Sequence, residues 1–175
     1  GKKLAITGKG RCNITNVCTL INELTDAVPV NSRFLYSAFS RFMPYDTMDF
    51  FEEMGVKLKI ERGNRVFPES DKAVEIVDAL VRFCKKSGAK IETSQRVRNL
   101  IIEDGEVRGA VTEDGKRYLA DAVLLATGGC SYPLTGSSGD GYKFAKSAGH
   151  TIVTPKPSLV PLETEDSWCK RAQGL

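Results

Sequence analysis

Four stretches of this chain carry residue types and spacings that could do chemistry. The first is Thr7-Gly8-Lys9-Gly10-Arg11-Cys12-Asn13, where two glycines alternate with two cations and a thiol and an amide follow. Glycines let the backbone N–H groups approach a ligand closely, and neighbouring cations suit negative charge. A phosphate cradle, a nucleic-acid patch, a reactive-cysteine site and a plain polar turn all fit this stretch alone. It matches the first two glycines of G-x-G-x-x-G, but Asn13 stands at the third and no strongly amphipathic helix follows, so the dinucleotide fingerprint is a poor fit. Cys12 lies beside Arg11, which would lower a thiol's pKa. No histidine or second thiol is near in sequence to assist it, so the reading prefers a small side chain packed against a ligand or the core.

The second stretch is Ala126-Thr127-Gly128-Gly129, at the end of the apolar run "ADAVLLA". Ligands of open α/β sheets bind at the carboxyl ends of strands, where small residues admit them. The third, Gly136-Ser137-Ser138-Gly139-Asp140-Gly141, resembles a phosphate loop opening a helix but fails the P-loop pattern, and Asp140 suits an N-cap equally well. The fourth is His150, which follows Gly149 and reads as a packing or capping residue. Asp46, Asp49, Glu52 and Glu53 read as a solvated helix face.

Five scattered cysteines and a single histidine, with no C-x-x-C, argue against a disulfide framework, a Cys/His metal site and a His-based triad. A net charge of +3 over 175 residues is too mild for a dedicated nucleic-acid binder. No apolar run reaches the roughly 18 residues of a membrane span, and "GKKLAITGKG" lacks the apolar core of a signal peptide. The expectation is a cytoplasmic protein with no membrane, metal or nucleic-acid partner.

The elements that would position these residues follow from periodicity. Residues 1–16 read as a loop or short strand. Phe34, Leu35, Ala38, Phe39 and Phe42 recur at helical spacing up to Pro44. A second helix is predicted from Asp46 to Met54, stopped by Gly55. "VKLKIERGNRVFPES" reads as two extended pieces around Gly63-Asn64. A third helix is capped by Ser70 or Asp71, has Val74, Val77, Leu80, Val81 and Cys84 on one face, and ends at Gly88. "AKIETS" is predicted as a strand. "RVRNLIIE" and "EVRGAVT", with turns at Asp104-Gly105 and Asp114-Gly115, predict an antiparallel meander. Ala122 to Ala126, apolar without alternation, predicts a central strand covered on both faces. A last helix runs from Gly139 to Ser147, and the proline-bearing tail reads as a connection.

Taken together and in order, "GKKLAITGKGRCNITN", "ATGGCSYPLTGSSGDGYKFAKSAGH" and "PSLVPL" closely resemble the aminoacetone-oxidase-like, or NAD(FAD)-utilising dehydrogenase, family of bacterial flavoproteins. The resemblance covers the chain up to about Leu162. It implies an α/β fold: a Rossmann-like FAD-binding domain of the two-dinucleotide-binding-domain type with a small antiparallel meander, incomplete at both ends. Residues 1–160 would be the partial FAD domain, and residues 161–175 the start of a connection to an inserted domain. The family's G-x-G-x-x-G and the return of the chain to the FAD site are expected outside this sequence. The resemblance further implies that Lys2, Lys3, Thr7, Gly8, Gly10, Arg11, Cys12 and Asn13 wrap the flavin and its pyrophosphate. By the same resemblance Val97 meets the adenine edge through its backbone, Ala126, Thr127, Gly128 and Gly129 approach the dinucleotide, and Gly139 and Asp140 lie near the FAD. Lys9 or Arg11 near the N1–C2 edge of the ring would stabilise reduced, anionic flavin. The implied activity is hydride or electron transfer by FAD between a small-molecule or NAD(P)H donor and an acceptor, with no acid or base assigned. A rival reading is a nucleotide- or nucleic-acid-binding module without redox chemistry, and a third is a piece with no activity alone.

Overall fold

The computed structural model describes residues 1–157 and 163–171. The expected boundary at residues 160/161 and most of "PSLVPL" lie outside them. Helix α1 (Lys2–Ile6) opens the chain and runs into a tight turn, Thr7–Gly10. Strand β1 (Thr15–Asn16), α2 (Ile21–Asp26), α3 (Tyr36–Phe39) and α4 (Pro44–Glu53) follow. Next come β2 (Leu58–Glu61), β3 (Arg65–Pro68) and α5 (Ala73–Lys86). The meander is β4 (Val97–Glu103), β5 (Glu106–Thr112) and β6 (Arg117–Leu119). Helices α6 (Asp140–Ser147) and α7 (Trp168–Arg171) complete it. Among the described residues no helix is long and apolar enough to cross a membrane.

Two three-stranded antiparallel sheets result, ordered β1-β3-β2 and β4-β5-β6. The first is the predicted hairpin around Gly63-Asn64, with β1 added so that Thr15 faces Val66. The second is the predicted meander. In it Gly109 adopts φ 150°, and a Cβ there would sit 2.0 Å from the Tyr118 carbonyl oxygen, so only glycine lets β6 close on β5.

The core lies between α4, α5 and the first sheet. Cys12, Phe51, Val56, Ala73, Ile76 and Ala79 form one buried cluster, flanked by Ile14, Phe50, Met54, Leu58 and Leu80. Helix α5 keeps its predicted extent, but its buried face is Ala73, Ile76 and Ala79, whereas Val74 is 54% exposed. The predicted stripe sits one position off because α1 packs on another side of α5, with Gly1 close against Val77. Its N-cap position is Lys72; the Ser70 hydroxyl accepts the Lys72 N–H at 3.3 Å, and Asp71 is drawn into ion pairs. Helix α4 starts two residues earlier than predicted, with Pro44 first and the Asp46 carboxylate accepting the Met43 N–H at 2.5 Å.

Four expectations are corrected. Residues 2–6 are helix, not loop or strand: Leu4 and Lys3 carbonyls accept bonds from the helix's end, and α1 rests on α5. The Phe34–Phe42 pattern yields only a 3-10 turn and the four-residue α3, and Phe34 is 86% exposed, so the apolar spacing lacks a surface to bury against. "AKIETS" forms no strand. Ala122 to Ala126 form none either: Leu124 is 91% exposed, because no strand among the described residues lies alongside to bond the backbone and cover both faces.

Candidate functional site

The Gly8–Gly10 turn is left-handed over three successive residues, with Gly8 at φ 56°, Lys9 at φ 57° and Gly10 at φ 84°, and Cys12 follows at φ 61°. The Cys12 N–H donates to the Thr7 carbonyl at 3.0 Å and closes the turn. The turn is anchored from below. Cys12 is 1% exposed in the core cluster, and burial pushes its thiol pKa up. It is therefore a packed neutral thiol, which agrees with the packing reading and leaves Arg11 no part in activating it. Asn13 donates its side-chain amide to the carbonyls of Thr15 and Val66, each at 3.0 Å.

Arg11 points away from the turn's outer face. Its Nε and Nη2 reach Asp71 at 2.7 and 2.6 Å, its Nη2 also meets Glu61, and the guanidinium lies 4.2 Å from the centre of the Phe67 ring. Lys59 completes the network, 2.6 Å from Asp71 and 3.4 Å from Glu61. Hydrogen bonds from Arg11 hold the Glu61 carboxyl below its ordinary range, and bonds from Lys59 and then Arg11 do the same for Asp71. The bidentate, ring-stacked geometry makes Arg11 a clamp between the turn, β2 and the start of α5.

Lys3 is the second clamp. From α1 its ammonium donates to the Ser131 carbonyl at 2.8 Å and to the Ser137 hydroxyl at 2.7 Å, with a longer contact of 3.4 Å to the Ser131 hydroxyl. An ammonium has three donors, so all are engaged. The bridge spans 128 to 134 residues of sequence and brings the first glycine stretch against the third. Ser137 is 5% exposed, and a Cβ on Gly128 would meet its oxygen at 3.0 Å, so the second stretch joins the same junction. Gly139 and Gly141 continue the close fit: added Cβ atoms would meet Cys130 Sγ at 3.0 Å and Thr127 Oγ1 at 2.3 Å.

Two clefts border this junction, and a third lies between β4 and α6. One of about 420 Å3 is lined by Lys3, Ile6, Thr7, Gly8, Lys9, Ser131 and Tyr132. One of about 430 Å3 runs along Ala126, Thr127, Gly128, Gly141, Tyr142 and His150. A smaller one of about 240 Å3 places Val97 beside Arg96, Asp140 and Lys143. Asp140 accepts from Ser138 at 2.7 Å and pairs with Lys143 and Arg96, each at 3.3 Å; these bonds, Ser138 first, hold its carboxyl below the ordinary range. Val97 is paired with Thr112 in the sheet. Thus Lys3, Thr7, Gly8, Ala126, Thr127, Gly128, Gly139 and Asp140 gather around the junction. Gly129 adjoins it, and an added Cβ there would touch the Tyr142 hydroxyl at 3.9 Å. Gly10, Arg11, Cys12 and Asn13 support the turn from behind. Lys2 is exposed and forms no side-chain hydrogen bond or ion pair among the described residues. Sequence reasoning missed Ser131 and Tyr132, whose available signal was only their place inside "GCSYPLTGSS", and it singled out Ser137 within the third glycine stretch without assigning it a role.

FAD is a long dianion, and the donors here suit one wall of its site: the backbone of a left-handed glycine turn and of Gly128. The Lys3 bridge holds the two glycine loops against each other. Residues 1–165 match the HI0933-like protein Rossmann domain. The chain belongs to that family, whose cofactor is FAD. It is 35% identical to the 3-dehydro-bile acid delta(4,6)-reductase of Clostridium scindens, over 100% of this chain and 41% of the relative. It is 32% identical to the ribosomal RNA dihydrouridine synthase of Haemophilus influenzae, over 92% of this chain and 40% of the relative. An L-aspartate oxidase of Saccharolobus solfataricus is 33% identical over 54% of this chain and 22% of its own length. The chain spans about two-fifths of the length of the curated relatives that match nearly all of it. These findings support the flavoprotein superfamily, while the narrower aminoacetone-oxidase resemblance has no counterpart among the relatives named above.

Proposed function

We propose that the full-length protein is a cytoplasmic FAD-dependent oxidoreductase that reduces a carbon–carbon double bond conjugated to a carbonyl group, with NAD(P)H or a small molecule as donor. FAD, when bound, supplies the two-electron chemistry. The relatives named for a delta(4,6)-reductase and a dihydrouridine synthase favour reduction of such a bond over oxidation of an amine. The observation that carries the reading is the Lys3 bridge, which holds the Thr7–Gly10 turn against Ser131 and Ser137 and so builds one wall from two distant glycine loops. Arg11, locked onto Glu61 and Asp71, fixes the turn from the other side and keeps its charge out of the cleft. The reaction adds a hydride equivalent and a proton across the double bond, and the chain's own part is binding and orientation.

The test is direct. Full-length protein should purify yellow, and anaerobic addition of NADPH or NADH should bleach its visible absorption, with colour returning on addition of a conjugated enone. A colourless protein that gains no flavin on incubation with FAD would refute the proposal.

A further inference from the structure

Eight described non-glycine residues adopt a left-handed backbone. Four are Asn or Asp, whose short polar side chains tolerate it. Of the other four, Lys9 and Tyr132 both line the 420 Å3 cleft and Cys12 lies beneath its turn; only Ser94 is elsewhere. Strained backbone held at one place marks a functional site when side chains converge there too, and here they do. Lys9 and Tyr132 come from segments more than 120 residues apart and face one opening.

The cations of this region divide by what they touch. Arg11 is paired with two carboxylates, and all three donors of Lys3 are engaged by serine oxygens. Lys9 forms no ion pair and no side-chain hydrogen bond among the described residues and stands exposed at the rim. Tyr132 is 70% exposed and Ile6 is 51% exposed on the same cleft. One free cation beside an aromatic ring and an aliphatic side chain suits a compact apolar molecule bearing a single oxyanion, and is too little positive charge for a polyanion.

From this we propose that Lys9 and Tyr132 are substrate-binding residues: Lys9 receives a carboxylate on the acceptor, and the Tyr132 ring packs against its unsaturated body. The inference rests on the oxidoreductase reading and names the class of its substrate, a small enone carboxylate. Both side chains stand at the exposed rim of the cleft whose lining also includes Lys3, Thr7 and Gly8, so the acceptor would lie beside the wall that faces the cofactor.

The experiment uses full-length holoprotein, with 4-oxocyclohex-2-ene-1-carboxylate and its methyl ester as probes and equilibrium binding by calorimetry as readout. The wild type should bind the acid about tenfold more tightly than the ester, the worth of one charge-assisted hydrogen bond. Lys9→Met should abolish that preference without changing ester binding or the flavin reduction potential, and Lys9→Arg should keep it. Tyr132→Ala should weaken acid and ester alike by about fivefold, and Tyr132→Phe should weaken neither. Equal binding of acid and ester by the wild type, failure to bind either, or an unchanged preference in Lys9→Met would overturn the proposal. So would a shifted flavin potential in Lys9→Met with the acid preference intact, which would assign the cation to the cofactor. A yellow protein that reduces no enone defeats the oxidoreductase reading alone, since binding is measured without turnover.

Discussion

Replacing Lys3 by Met removes the bridge between α1 and the Ser131–Ser137 loop while keeping most of the side chain's length and apolar stem. The bond to Ser137 is the costly loss, because that hydroxyl is 5% exposed and water reaches it poorly. A hydrogen bond to a charged donor contributes about 1.5–3 kcal/mol, while the bonds to exposed Ser131 are largely replaced by water, so the expected destabilisation is about 2 kcal/mol. The assay is urea unfolding of the full-length protein for wild type, Lys3→Met, Ser137→Ala and the double variant. The cycle should return a coupling of about 1.5 kcal/mol between Lys3 and Ser137, and flavin content should fall in both single variants. A coupling below about 0.5 kcal/mol would refute the claim that this bond holds the two loops together. An unchanged flavin content in a clearly destabilised Lys3→Met would show that the bond supports the fold but not the site.

Ile76→Ala should cost about 3 kcal/mol, since Ile76 is 0% exposed at the centre of the core and its removal leaves a cavity; chemical denaturation measures it, and a loss under about 1 kcal/mol would contradict the packing described. Cys12, buried with its pKa pushed up, should react with a thiol reagent at pH 8 far more slowly than exposed Cys130, and a mass-resolved time course that modifies Cys12 first would overturn its assignment as a packed thiol. Bonds from Lys116, Lys90 and Tyr118 hold Glu92 down to about 2 from its ordinary 4.5. A depressed carboxyl pKa stabilises the fold above the unfolded value and loses that contribution as pH falls through the folded one. Glu92→Gln should therefore flatten the stability profile between about pH 4.5 and 2, and an identical slope in both proteins would exclude the linkage.

Local rules carried well where the local sequence decides the structure. Asp104-Gly105, Asp114-Gly115 and Gly63-Asn64 supply the left-handed residues that hairpins require, and each hairpin forms where those residues stand. Helix α5 was legible from its apolar spacing, but not its buried face, because α1 and the Gly8 turn dock on it from far away in sequence. Helix α1 was masked by the glycines just after it. The strand expected at Ala122 to Ala126 fails for a different reason: an apolar run signals burial on two faces, and burial needs neighbours that the described residues do not provide. The glycine loops were legible as ligand-facing from residue type alone. Which cation faces a ligand was not, since Lys3, Lys9 and Arg11 look alike until Ser137, Asp71 and Glu61 come into place around them.

The Lys3–Ser137 bond closes a loop of 134 residues. The entropy of closing a loop grows with its length, so contacts of this reach are met late as a chain folds, after the hairpins and α5 have formed locally. The site's wall is therefore among the last parts of the molecule to exist. Yellow colour in the full-length protein would therefore report more than cofactor supply, because a molecule that retains its flavin would already have brought the Thr7–Gly10 turn to the Ser131–Ser137 loop.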